Sequence, residues 1–268
     1  MNIQTDIRLA VLIDADNVPY SNVKGMMEEI AKYGTPTFKR IYADWTKPTV
    51  GGWKKVLLEN AITPIQQYSY TTGKNSSDSA LIIDAMDILY SGKVDGFCII
   101  SSDSDFTRLA TRLREAGMKV FGIGQKKTPN PFIVACDKFI YIEVIATAAA
   151  DSETTDSSDT AEVPDVPGTP IKAKAAAKVT IDKINKSTIH LISASIDDLA
   201  DENGWAFLGE VGGLLMKKQP NFDPRNFGFQ KLTSLINSLP QFEIDKRETE
   251  KKNIKLVYVR NKELGVGD

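Results

Sequence analysis

Val11-Leu12-Ile13-Asp14-Ala15-Asp16-Asn17 and, further along, Phe97-Cys98-Ile99-Ile100-Ser101-Ser102-Asp103-Ser104-Asp105-Phe106 are two stretches of the same design. Each is a short apolar run that ends in a pair of aspartates. Runs of this length without polar alternation read as strands covered on both faces. Around them the chain alternates strand-like and helix-like stretches. Strands are expected at 9–13, 38–42, 62–68, 96–101 and 119–123, and helices at 23–33, 51–60, 77–90 and 103–116. Gly34-Thr35-Pro36 stops the first helix. Such alternation implies an α/β fold with a mainly parallel sheet, because each parallel crossover needs a helix. Ligands of these sheets bind beyond the carboxyl ends of the strands, where both Asp pairs fall.

A single Asp after a strand usually serves as a turn or cap residue, since its carboxylate accepts local backbone hydrogen bonds. Two pairs at the ends of neighbouring strands are different: the crowding is unfavourable unless protons or a cation neutralise it. Asp78, at the start of a helix candidate, is a further acid with an N-cap as its plain role. A cluster of Asp oxygens without His or Cys suits a hard cation, Mg²⁺ or Mn²⁺, and a phosphate as the partner. Such an ion can position water in line with a phosphodiester and stabilise the departing oxygen.

Composition narrows the classes. The chain has 268 residues, 42% hydrophobic and 25% charged, enough for two modest domains. Its two cysteines, Cys98 and Cys136, and its single His190 are too few for a disulfide scaffold or a zinc site. The start of the sequence lacks a signal-peptide pattern, and no apolar run approaches the roughly 18 residues of a membrane span, so a cytoplasmic setting without membrane contact is expected. The net charge of −2 hides a division. Residues 1–147 hold 17 basic and 16 acidic residues, 148–178 hold 3 and 6, and 179–268 hold 13 of each. Neither end is acidic overall, and the middle stretch, rich in Ser, Thr, Asp, Pro and Ala, is expected to be a flexible linker between domains at 1–147 and 179–268.

At this point the residues resemble a known family. Ile13-Asp14-Ala15-Asp16-Asn17, Lys74 through Asp78 with Asp84, and Ser102-Asp103-Ser104-Asp105-Phe106 are similar, in order and context, to the motifs of NYN domains of the LabA-like group. The resemblance covers roughly 8–143 and implies a PIN-like, Rossmann-like fold and metal-dependent cleavage of RNA. It implies that Asp14, Asp78, Asp103 and Asp105 hold the metal and that Asn17 orients the first turn at the substrate side. Asp84 matches a further family acid, but six residues of helix turn it about 600° from Asp78, off that residue's face. Asn75-Ser76-Ser77 departs from the glycine that many relatives carry after the lysine.

Lys74 is a candidate phosphate contact, as are Lys54, Lys55, Arg108, Arg112, Arg114, Lys126 and Lys127. Arg108 and Arg112 share a helix face and Arg114 does not, and a solvated face explains most of these cations. Trp45 and Trp53 are the better candidates for stacking on unpaired bases, whereas Tyr42 and Tyr68 read as core.

In the second part, 184–200 carries an apolar helical stripe, Gly204 breaks it, 205–209 is strand-like, 208–218 is a helix candidate, another helix opens at 222 and runs to 239, and 254–259 is a strand. Helix, strand-like turn, helix, helix, hairpin is a winged-helix order. GWAFLGEVGGLL and NFDPRNFGFQKLTSLI resemble a LOTUS domain, also called OST-HTH, which implies a partner of RNA or protein. Lys217, Lys218, Arg225 and Lys231 are candidate phosphate contacts, Trp205 and Phe227 read as core anchors, and His190 as a packed residue.

The reading is therefore an Mg/Mn-dependent endoribonuclease with a winged-helix module that recruits RNA or a protein partner; a homodimer is compatible with it. Two alternatives stay open. One is a catalytically silent RNA-binding adaptor. The other is a haloacid-dehalogenase-like phosphatase with Asp14 as nucleophile and Lys93 as its lysine.

Overall fold

The computed structural model describes residues 6–68, 76–145, 181–248 and 255–262. The expected linker at 148–178, Lys74 and the Asn75-Ser76 part of its motif fall outside the described backbone or side chains. The first domain runs β1 (Arg8–Asp14), α1 (Val23–Ile30), β2 (Thr35–Ala43), α2 (Trp53–Glu59), β3 (Thr63–Gln66), α3 (Ser76–Ser91), β4 (Gly96–Ile100), α4 (Thr107–Glu115), β5 (Lys119–Gly124), α5 (Asn130–Ala135) and β6 (Lys138–Tyr141). Its six strands are all parallel, in the order β3-β2-β1-β4-β5-β6.

That order reverses direction between β1 and β4. The chain winds outward through β2 and β3, then returns to the far side of β1, so the connecting loops part at this one place. Both strands flanking it are buried on both faces. All five residues of β4 are buried, and only Arg8 of β1 is exposed. Side chains of β1 alternate between layers. Leu9, Val11 and Ile13 pack with α1 and α2, and Ala10 and Leu12 pack with α3, α4 and α5. Asp14 continues the second set and so belongs to the α3 side.

The helix at 130–135 and strand β6 were not expected from the sequence. Asn130-Pro131 opens a helix too short for a periodic signal, and the apolar run after it merges with the strand.

The second part runs α6 (Lys186–Asp197), β7 (Ala206–Phe207), α7 (Leu208–Lys218), α8 (Leu232–Asn237), β8 (Phe242–Glu248) and β9 (Lys255–Asn261), with an antiparallel sheet β7-β9-β8. The single helix expected from 222 to 239 is split. Pro224–Phe227 is one 3-10 turn, Gly228 takes φ +83°, a left-handed conformation that ends it, and α8 starts afresh at Leu232. The hairpin follows as expected, with β8 supplying the strand that pairs with β9.

The module rests against the first domain. Arg225 reaches α1, where its Nη1 and Nη2 donate to the two carboxylate oxygens of Glu29 at 2.9 and 2.8 Å, and its other N–H groups hold Asp223. At β6, the Phe139 amide donates to the Pro220 carbonyl at 2.9 Å and Asn221 Nδ2 donates to the Tyr141 hydroxyl at 2.8 Å. Lys126, after β5, pairs with Asp182. Arg225 is thereby an interdomain anchor and not the phosphate contact expected of it. His190 is exposed on α6 and not packed.

Candidate metal centre

Asp14 ends β1 and Ser101 follows β4, one register step beyond the Ile13–Ile100 pair. The Ser101 hydroxyl donates to Asp14 Oδ2 at 2.7 Å and accepts the Asp103 amide at 3.1 Å. Asn17 Nδ2 also donates to Oδ2, at 2.7 Å, and the Asp16 amide donates to Oδ1 at 3.1 Å. Asp14 is buried and fixed in orientation by three donors, the Ser101 hydroxyl, Asn17 Nδ2 and the Asp16 amide. Asn17 spends one side-chain N–H on Asp14 and so ties the first turn to that carboxylate. Gly124 of β5 lies against this junction: a Cβ there would come within 2.5 Å of the Ser101 carbonyl oxygen.

The loop after β4 turns at once. Asp103 is N-cap to the 3-10 turn Ser104–Phe106, its Oδ1 accepting the Asp105 amide at 3.0 Å, and Phe106 plugs the core beneath. Asp78 approaches from the first turn of α3. Carboxylate oxygens of Asp78, Asp103 and Asp105 lie within 4.8 Å of one another, a grouping that suits a cation. Asp14 sits beside this trio, and Asp16 is at its exposed rim, where Ser77 Oγ donates to it at 3.4 Å.

The electrostatics follow from the crowding. Burial, then the charges of Asp14, Asp103, Asp105 and Asp16, push the Asp78 carboxyl up to about 6. Burial likewise raises Asp14, against the hydrogen bonds from Asn17 and Ser101. Negative charge is therefore stored at the switch point and is relieved by a proton or a cation. The donor set is carboxylate oxygen with hydroxyls behind it, which fits Mg²⁺ or Mn²⁺ and not a soft metal.

Asp84 is off the cluster, as its rotation about the helix requires. It is not a solvated residue either: Arg40 Nη1 and the buried Tyr42 hydroxyl of β2 both donate to it. Sequence reasoning missed these two partners and Ser101. A hydroxyl directly after a buried strand was a usable signal for Ser101; the pairing of Asp84 with β2 had none.

The aromatic candidates are corrected. Trp53 is 2% exposed, on the core side of α2, and has no face for a base. Trp45 is half-buried against the same core, its Nε1 donating to the Ile65 carbonyl at 2.9 Å. Tyr68 is exposed and not core. Among the cations, Arg108, Lys54, Lys55 and Lys127 are exposed, Arg112 donates to the Tyr90 hydroxyl, and Arg114 pairs with Asp137. Lys218 pairs with Asp198, and Lys217 and Lys231 are exposed. In the module, Trp205 is half-buried, with the guanidinium groups of Arg247 and Arg260 at 5.4 and 4.6 Å from its ring, whereas Phe227 packs on the core as expected. Lys93, the lysine of the phosphatase reading, is in the turn before β4, at the opposite end of that strand from the carboxylates.

The doubly wound domain with clustered acids at its switch point is of the PIN-like class, and a small winged-helix-like module follows it. The chain belongs to the NYN domain family, which matches residues 8–143, and carries an OST-HTH/LOTUS domain that matches 180–254. NYN domains are PIN-like and nuclease-related, and OST-HTH domains bind RNA and in some cases protein. Among solved structures, a crystal structure of a protein of unknown function from Vibrio parahaemolyticus is 21% identical, with TM-score 0.44, over 53% of this chain and 96% of its own. A solution structure of an uncharacterized protein from Nitrosomonas europaea is 28% identical, with TM-score 0.28, over 37% of this chain and 92% of its own. Another, of a protein fragment from Chromobacterium violaceum, is 26% identical, with TM-score 0.26, over 33% and 95%. No curated protein matches. Among the described residues no helix is long and apolar enough to cross a membrane.

Proposed function

We propose that this protein is a Mg²⁺- or Mn²⁺-dependent endoribonuclease whose LOTUS module recruits RNA, in a cytoplasmic setting. The observation that carries the reading is the convergence of Asp78, Asp103 and Asp105, beside Asp14, at the reversal of strand order. These four carboxylates would hold the ion. When bound, a divalent cation supplies charge neutralisation at the phosphodiester and lowers the pKa of coordinated water. The chain's own part is preorganisation. Ser101, Asn17 and the Asp16 amide fix Asp14, the 3-10 turn fixes Asp103 and Asp105, and α3 brings in Asp78. Arg108, exposed on the first turn of α4 next to this loop, meets a phosphate of the strand. The domains of this reading are 1–147 and 179–268, joined by 148–178.

The phosphatase alternative loses its support, since Lys93 stands at the wrong end of β4. A silent RNA-binding adaptor has no observation in its favour that the nuclease lacks. The test is cleavage of labelled single-stranded RNA with Mn²⁺, with EDTA, and with Asp103→Asn. Cleavage that requires Mn²⁺ and falls at least about a hundredfold in the variant supports the reading. Cleavage that survives both EDTA and the substitution refutes it.

A further inference from the structure

Asp78 has to be held against the repulsion of its neighbours, and its helix has to be held with it. The packing of α3 is apolar: Leu81, Ala85 and Ile88 are buried against the sheet. Apolar contact is not directional, so by itself it leaves rotation of the helix about its own axis weakly fixed. A directional contact to the sheet is made at Asp84. Its two oxygens accept from Arg40 Nη1 and from the Tyr42 hydroxyl, two residues of β2 on the same side of the sheet. Tyr42 is also the residue that β1 pairs with Asp14, and its carbonyl accepts the Ala15 amide at 3.2 Å. One residue of β2 thus joins both parts: its carbonyl holds the strand end that carries Asp14, and its hydroxyl holds the helix that carries Asp78.

We propose that Asp84 is a positioning residue of the metal centre, clamped by Arg40 and Tyr42 so that the first turn of α3 keeps Asp78 turned toward Asp103 and Asp105. The proposal rests on the metal-site reading above. It assigns Asp84 no contact with the ion or with RNA. Arg40 and Asp84 are a half-buried ion pair and Tyr42 is fully buried, so the clamp has a definite geometry.

The experiment compares Asp84→Ala, Tyr42→Phe and Asp84→Asn in the full chain, by calorimetric titration with Mn²⁺ and by amide hydrogen exchange. Asp84→Ala is expected to weaken Mn²⁺ binding about tenfold, the range found for outer-shell partners of metal ligands. Tyr42→Phe gives a smaller loss in the same direction and keeps the test alive should the alanine variant fail to fold. Asp84→Asn still accepts from Arg40 and can donate to the Tyr42 oxygen, so it restores binding to within about twofold of the parent. Amides 77–80 exchange faster in the alanine variant, and those of 109–113 on α4 do not. Any RNA cleavage lost in Asp84→Ala is recovered by raising Mn²⁺, which a general loss of structure would not allow.

Mn²⁺ affinity within twofold of the parent in a folded Asp84→Ala protein overturns the proposal, whatever the exchange shows. If the parent itself binds no Mn²⁺, the metal reading has failed, and the clamp is then judged by exchange alone: unchanged rates at 77–80 overturn it and faster rates uphold the hold on α3.

Discussion

Replacing Arg225 with methionine removes the charge that joins the two domains while keeping most of the side chain's bulk. The guanidinium makes two bonds to Glu29 and holds Asp223 as well, with side-chain exposures of 17% for Arg225 and 4% for Glu29. Removing one partner of a buried pair typically destabilises by about 3–5 kcal/mol, because the other charge is left without compensation. Glu29 here keeps Lys32 at 2.7 Å and the Tyr33 hydroxyl at 2.9 Å, which brings the expected loss to or below the bottom of that range, about 2–3 kcal/mol. The titration of Glu29 gives a second route to the number. Burial pushes its carboxyl up, but the hydrogen bonds from Arg225 and Lys32 outweigh this and bring it from 4.5 to about 2. At about 1.36 kcal/mol per unit, that depression amounts to about 3 kcal/mol, an upper bound for Arg225 because Lys32 and the Tyr33 hydroxyl supply part of it. Because the folded value is lowered, the contribution is complete above pH 4.5 and disappears as the pH falls toward 2. The assay is urea unfolding of the parent, Glu29→Gln, Arg225→Met and the double variant, at pH 7 and at steps below 4.5. A coupling energy above about 1.5 kcal/mol at pH 7, shrinking as the pH falls, is expected. A coupling below about 0.5 kcal/mol, or the same pH dependence in Arg225→Met as in the parent, would refute the reasoning.

Four further outcomes follow from the first domain. Asp78, raised to about 6, opposes folding of the metal-free protein while it is ionised, so the metal-free protein gains stability as the pH falls from 6 toward 4, and saturating Mn²⁺ removes that gain; thermal melting across this window checks it. Mn²⁺ affinity measured over the same window falls with pH, and an affinity that stays flat between pH 7 and 5 would contradict the assignment of Asp78 as a ligand. Trp53→Ala costs about 3–5 kcal/mol by chemical denaturation, as a core cavity does, and an undiminished stability with lost RNA affinity would restore the base-stacking role. Gly124→Ala destabilises by about 1–3 kcal/mol, since its Cβ meets the Ser101 carbonyl, and displaces the serine that holds Asp14, so melting temperature and Mn²⁺ affinity drop together.

How far the sequence carried depends on the range of the signal. β1 and β4 were legible because burial on both faces leaves an unbroken apolar run, and the aspartates after them were legible because a run and a charged turn are adjacent in the chain. Their meeting at the switch point required only that the two strands be neighbours, which the sheet bears out. Trp53 misled because the helix expected at 51–60 is too short for its periodicity to mark the buried face, and Trp53 starts α2 on the face that meets the core. The Glu29–Arg225 contact joins residues 196 positions apart, and nothing local marks it. Arg225 beside Asp223 and Pro224 looked like an ordinary surface turn. The same holds for Asp84: its helical phase showed that it was not with Asp78, but its partners lie on a strand more than forty residues earlier.

The seating of Pro220 on Phe139 has a meaning beyond joining two folded units. A six-stranded open sheet ends in two rows of backbone groups that invite another chain to add on. One end, β3, is short and interrupted by Pro64, a poor template. The other end is β6, and there the module covers the border and takes up one of its amides. A version of this protein cut before residue 181 would leave that border bare, and its tendency to clump would rise even with every acid of the cluster in place.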